Sequence, residues 1–428
     1  MFKNTPSLLK NQQSVHFVHC FRYSLIIRYL CTTQQHVENS EGVKSMRLFK
    51  EKLAWAAPIA VILIIALFSV NLFAQGNPQV KNLPIAFIVN DEGDHVDAVK
   101  SAIEQMSKST DGKEPMLAFT NEKEANIEDL FNDKKYYAAL VIPEGYNDAL
   151  QNAMTNNSAA TLQVYINQGY NMTGANFAKT ALNGLITQLS NQYSTNFIGQ
   201  MNGQQIDASR ASVLVNPIVS EEKVFNAITA STANGSAPTL MAVPAWVGAL
   251  IGGFIVFLAT SNIFKKEMLT PKQTLRLMGG QVLFGVIIAL FSGFTVATLA
   301  QIAGINMPSY FLVAFFVSFA AFCFYLLVSA ITAWIGKPAI TLFMVVMLLG
   351  MGVLMTPQEM LPSFFVNFIR PWVPLRFASE GLRDIFYFGS GFYTGGSFNT
   401  ILGIGIVGLV IFLLSSLKPL RAQKTVVK

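Results

Sequence analysis

The sequence predicts a polytopic α-helical membrane protein with six transmembrane helices and one extracytoplasmic α/β domain between helices 1 and 2. Three observations predict it. Ala54–Ala74 is apolar apart from Ser69 and Asn71, nothing comparable recurs until Met241, and from there to Leu417 the chain is mostly Leu, Ile, Val, Phe, Gly and Ala. A hydrocarbon core of roughly 30 Å needs about 20 apolar residues as helix, because backbone groups in lipid must pair within the segment. Charged residues make up only 13% of the chain against 52% hydrophobic, where soluble domains carry about 25% charged.

The net charge of +6 does not point to nucleic acid. Residues 75–240 hold 17 Asp and Glu against 10 Lys and Arg, so the positive excess sits near the apolar runs, as the positive-inside rule expects. The chain divides into residues 1–45, 46–74 with the first span, the α/β domain 75–240, the span-rich 241–417, and a basic tail 418–428. Residues 1–45 hold Cys20, Cys31, His16, His19 and His36 in no metal-ligand spacing and end before Met46-Arg47-Leu48-Phe49-Lys50. They read as an upstream start before a functional Met46, or as a cytoplasmic tail. Arg47, Lys50 and Lys52 place the start of span one in the cytoplasm. The run is long for a signal peptide, so it reads as a retained anchor.

Within 75–240, Ile85–Asn90, Met116–Thr120, Tyr136–Ile142 and Thr161–Asn167 read as strands. Val96–Ser107, Ala125–Asn132, a short stretch through Leu150 and the long Met172–Phe197 read as helices, with Val213–Val219 returning the chain to the membrane. Alternating β and α elements favour a small sheet with helices packed on it. The next spans are Ala242–Ile263, Leu277–Ala303, Tyr310–Trp334, Ala339–Met355 and Ile401–Leu417. The basic positions Lys265, Lys266, Lys272 and Arg276, then Lys337, then Lys418 and Arg421 all fall on one side. Six crossings therefore put both termini in the cytoplasm of a multi-pass protein of the cell membrane.

No phosphate-binding loop, zinc-protease helix or serine elbow occurs, and the acidic cluster Asp91, Glu92, Asp94 and Asp97 departs from calcium-loop spacing. No catalytic residue, metal site or cofactor of its own is expected. The spans contain no Asp, Glu, Lys, Arg or His, which argues against a proton- or sodium-driven carrier. Gly248-x-x-x-Gly252 and Gly403, Gly405 and Gly408 permit close helix approach. Pro357–Gly396 is aromatic and broken by Pro362, Pro371 and Pro374, yet carries Arg370, Arg376, Glu380, Arg383 and Asp384. It should lie at the outer interface as short or re-entrant helices, a lid or a gate.

The chain resembles a known family through Pro84-Ile-Ala-Phe-Ile-Val-Asn-Asp-Glu-Gly93, Tyr136-Tyr-Ala-Ala-Leu-Val-Ile-Pro-Glu-Gly145 and Val164-Tyr-Ile-Asn167, all following a first span. Leu361-Pro362, Pro374-Leu375-Arg376 and Gly381-Leu382-Arg383 precede the last span. These are similar to the YhgE/Pip (phage infection protein) branch of the type-2 ABC exporter permeases. The resemblance implies a permease without a nucleotide site, dimeric with itself or with a related permease, surrounded by lipid and driven by a separate cytoplasmic ATPase that carries the ATP. It implies a coupling loop, Phe264–Arg276, with Lys265, Lys266, Glu267, Leu269, Leu275 and Arg276 facing the ATPase; the alternative for any one of these is plain membrane anchoring. It also implies an outer gate at Pro362, Arg370, Pro374, Arg376, Glu380 and Arg383. A receptor or secretion role for the outside domain stays open beside export.

Overall fold

In a computed structural model of the protein, residues 80–108, 114–123, 126–200, 208–266 and 270–417 are described, all within one compact unit, Phe68–Lys428. The first apolar run, residues 1–45 and the basic tail lie outside the described residues.

The α/β part is a five-stranded mixed sheet of order β2-β1-β3-β4-β5. Its strands are β1 (Leu83–Val89), β2 (Leu117–Glu122), β3 (Ala138–Ile142), β4 (Ala160–Asn167) and β5 (Ile218–Phe225). β1 is parallel to β2 and β3, β4 is antiparallel to β3, and β5 is parallel to β4. The central strands β1 and β3 are almost wholly apolar and buried, as strands covered on both faces must be.

One face carries α1 (Asp94–Ser107), α3 (Tyr146–Gln151) and α5 (Met172–Gln200), with the short α4 (Ala153–Asn156) following α3. Val96, Val99 and Ile103 of α1 and Ala178, Leu182 and Leu185 of α5 recur at helical spacing and share one core with Leu83, Ile85 and Leu140. The other face is closed by α2 (Ile127–Asn132), whose Phe131 packs with Ala86, Tyr136 and Ala139. The Asn126 side chain caps α2 by accepting from Glu128 N at 3.2 Å. The acidic turn after β1 is structural: Asp91 Oδ2 accepts from Asn147 N at 2.7 Å at the start of α3, and Asp97 pairs with Lys100. No acidic or Cys/His group able to hold a metal occurs among the described residues.

The expected four-strand sheet is corrected to five. The stretch read as a plain return path, Val213–Val219, ends the short α6 (Ala208–Val215) and opens β5. β5 hides from a sequence reading because it is an edge strand with Ser220, Glu221, Glu222 and Lys223 all exposed. Such charges block further strand pairing and also erase apolar alternation.

The span-rich part contains α7 (Ala237–Lys266), α8 (Pro271–Ile302), α9 (Tyr310–Ile335), α10 (Ala339–Met355), α11 (Pro374–Tyr387) and α12 (Gly396–Leu414). Among the described residues, four stretches are long and apolar enough to cross a membrane, Ala230–Phe264, Lys272–Ile302, Tyr310–Ile335 and Gly396–Leu417, and α10 is a shorter apolar helix of 17 residues. α8 starts sharply at a capping box between Thr270 and Gln273 with Pro271 at its first position. α9 is the centre of the bundle: Phe316, Phe324, Tyr325 and Val328 are buried, and Trp246 of α7 meets the Phe324 ring edge-on at 5.0 Å. Small residues set these distances. A Cβ on Gly293 would fall 2.4 Å from Ala314 O, and one on Gly408 would fall 2.9 Å from Leu327 N, so α8 and α12 approach α9 backbone to backbone. Gly248 and Gly252 of α7 instead make room for the side chains of Ser292 and Ile288 of α8.

Candidate functional site

The site lies where the α/β part meets the segment between α10 and α12. After Met355 the chain forms a one-turn helix at Gln358–Met360, a π turn at Phe365–Ile369, a 3-10 turn at Arg370–Trp372 and then α11. Pro371 and Pro374 break helix continuity, and Pro374 is the first residue of α11, where its missing N–H costs nothing. Pro362 sits before the π turn and its carbonyl accepts from Phe365 N at 2.8 Å. α11 buries Leu375, Ala378, Leu382 and Ile385 against the bundle, and Thr239 of α7 and Ser379 join through their hydroxyls at 2.7 Å. Arg376, Glu380, Arg383 and Asp384 are thereby carried along the other side of α11.

Four hydrogen bonds and an ion pair among the described residues help to bind this segment to the α/β part. Lys81 N donates to Glu359 O at 3.0 Å, Tyr137 OH to Glu359 Oε2 at 2.8 Å, Asn171 Nδ2 to Met355 O at 3.4 Å and Arg383 NH1 to Tyr170 O at 3.3 Å. Lys134 Nζ forms an ion pair with Asp384, whose side chain is 7% exposed. Lys134 reaches it from the turn after α2 through a left-handed backbone conformation, φ 56°, uncommon for a residue with a side chain.

Between the two parts is a cavity of about 250 Å³ lined by Lys134, Arg370, Arg376, Arg383, Glu380 and Asp384, with Val353 and Leu354 at its apolar side. Glu380 Oε1 is shared: Arg370 NH2 lies 3.3 Å away and Arg376 Nε 3.4 Å away. Only the first is a hydrogen bond, and Arg376 Nε is buried without a hydrogen-bond partner. Burial lowers the Arg376 pKa, with the Glu380 charge opposing, and raises that of Asp384, with Lys134 opposing. No carboxylate among the described residues lies within 4.0 Å of Arg383.

The structure thus brings together Arg370, Arg376, Glu380 and Arg383 of the anticipated gate, with Pro362 and Pro374 shaping the chain around them. Four of the anticipated coupling residues lie at the ends of α7 and α8 away from the α/β part. There Leu275 and Arg276 are exposed, Lys265 and Lys266 end α7, and Glu267 and Leu269 lie outside the described residues. Sequence reasoning missed Lys134, Tyr137 and Glu359 as parts of the site. Their partners are up to 250 positions away, and no local spacing signals such a pair.

A family described as ABC-2 family transporter protein matches residues 54–417. The chain belongs to that family, whose members are the membrane permease components of transporters rather than catalytic subunits. Among solved structures, a domain assigned to an ABC type-2 transporter from Thermotoga maritima MSB8 is similar at 18% identity, over 33% of this chain and 86% of that one, with a TM-score of 0.21. A search of curated proteins gives no match.

Proposed function

We propose that this chain is the membrane-spanning subunit of a type-2 ABC exporter of the YhgE/Pip branch, moving an amphiphilic or lipid-like substrate outward with ATP hydrolysed by a separate cytoplasmic ATPase. It works in a pair of permeases, either identical or related, and contributes no nucleotide site. The α/β domain is extracytoplasmic, six helices cross the membrane, and both termini are cytoplasmic.

The family match over residues 54–417 carries the exporter reading, and its topology rests on the bonding of the α/β part to the segment after α10. A chain cannot end a crossing within lipid, so two regions in contact on one side are separated by an even number of crossings. The turn after α8 is bonded to the turn before α7, Asn306 N to Ser231 O at 2.8 Å, which fits two crossings. The contacts of Glu359 and Asp384 with the α/β part fit four, which supports a crossing by α10 although it is short. Its 17 residues rise about 25 Å, at the lower limit for a span. The basic residues at the opposite ends, Lys272, Arg276 and Lys337, support a cytoplasmic position for those ends.

The test joins topology to partnership. In intact cells, an engineered Ser158→Cys should react with an impermeant thiol reagent, and the chain should co-purify with an ABC ATPase. Leu269→Asp with Leu275→Asp should release that ATPase or uncouple its hydrolysis, because an apolar anchor outweighs exposed rim charges. Labelling only after lysis refutes the topology. A folded double variant with normal ATPase binding and full transport refutes the coupling loop.

A further inference from the structure

We propose that the cavity between the α/β domain and α11 seats the phosphate headgroup of an anionic lipid at the outer end of the bundle. Four cationic side chains, Lys134, Arg370, Arg376 and Arg383, face it against Glu380 and Asp384, with Glu359 at its margin bonded to Tyr137. The pairing leaves capacity for one more anion. Asp384 is taken by Lys134, Glu380 is divided between Arg370 and Arg376, and among the described residues Arg383 bonds the neutral Tyr170 carbonyl and no carboxylate. Arg376 Nε makes no hydrogen bond and is held to Glu380 by charge alone at 3.4 Å, so this guanidinium is incompletely satisfied. Guanidinium groups offer fork-like donor pairs that suit phosphate oxygens.

The apolar side of the same cavity distinguishes a lipid from a free ion. Val353 and Leu354 belong to the last turn of α10, so the cavity borders the apolar span. A ligand with charge at one end and hydrocarbon at the other satisfies both walls, whereas inorganic phosphate satisfies one. The seat rests on the export reading for its role as a stop for cargo in transit; binding itself is measured without transport.

The experiment uses the full chain purified in uncharged detergent, with binding of dioctanoyl phosphatidylglycerol, dioctanoyl phosphatidylcholine and inorganic phosphate read by native mass spectrometry and thermal shift. Phosphatidylglycerol should bind about tenfold tighter than phosphatidylcholine, and Arg383→Gln should remove about that factor while Arg383→Lys retains most of it. Glu380→Gln, which frees Arg370 and Arg376, should tighten phosphatidylglycerol about fivefold, a gain that misfolding cannot mimic. Equal binding of the two lipids, or an affinity unmoved by both Arg383→Gln and Glu380→Gln, overturns the seat. Inorganic phosphate binding as tightly as phosphatidylglycerol overturns the lipid and assigns a free anion. A chain that binds with these charge dependences yet exports nothing fails as an exporter and keeps the seat. One that exports lipid at full rate without such binding does the reverse.

Discussion

The two ends of the helical bundle use charge in opposite ways. At the end that meets the α/β domain, Lys134, Asp384, Arg370, Arg376 and Glu380 are partly buried and drawn into ion pairs. At the other end, Lys272 and Arg276 are exposed and have no carboxylate within 4.0 Å among the described residues. Exposed charges of that kind contribute little to stability and remain available to a partner, while buried ones are costly whenever a partner is removed. The domain end therefore uses its charges to hold its own parts together, while the charges of the far end stay open to solvent.

The largest expected effect breaks the domain end. Lys134→Ala leaves Asp384 buried without its cation and should destabilise the chain by about 2 kcal/mol, discounted because the lysine is partly exposed. Adding Asp384→Asn should recover part of the loss in thermal unfolding; a double variant weaker than the single one would refute the pairing. Next comes Tyr137→Phe, which deletes the donor to the Glu359 carboxylate and should cost about 1.5 kcal/mol. Proteolysis should show the α/β domain loosened from the following segment, and unchanged protection would contradict it.

A smaller effect is set by pH. Burial raises the Asp384 pKa above 3.8, so the native chain keeps a proton that the unfolded chain has released. That contribution is fully present below 3.8 and is lost as pH rises through the higher folded value. The penalty of Lys134→Ala should accordingly shrink between about pH 7 and about pH 4, since a neutral Asp384 needs no cation. A penalty independent of pH would show that the lysine acts through packing on the Phe388 ring, 5.1 Å from its Nζ. The smallest effect belongs to the far end. Lys272→Ala with Arg276→Ala should change stability by less than about 0.5 kcal/mol, and a larger loss would erase the contrast between the ends.

Much of this contrast was legible in the sequence for a physical reason. Spans announce themselves because lipid forbids ionisable residues, and β1 and β3 do so because strands buried on both faces are apolar throughout. The proline-broken segment stood out by combining aromatic residues with charges that no span tolerates. Helix ends were less visible: α7 begins at Ala237 rather than Ala242 because its first turn docks on α11 through Thr239 and Ser379. β5 was hidden by its own edge charges. The ion pair of Lys134 and Asp384 was invisible, because it exists only once sheet, bundle and α11 are assembled.

The bonding of Glu359 and Asp384 to the α/β domain also limits how such a chain can diverge or be redesigned. Under the proposed topology, helices between Ala237 and Met355 can be removed or inserted only in pairs. Under that topology, losing α9 alone would strand the α11 segment on the opposite side of the membrane from Lys134 and Tyr137. Viable shortened or lengthened versions must therefore change length by whole helical hairpins.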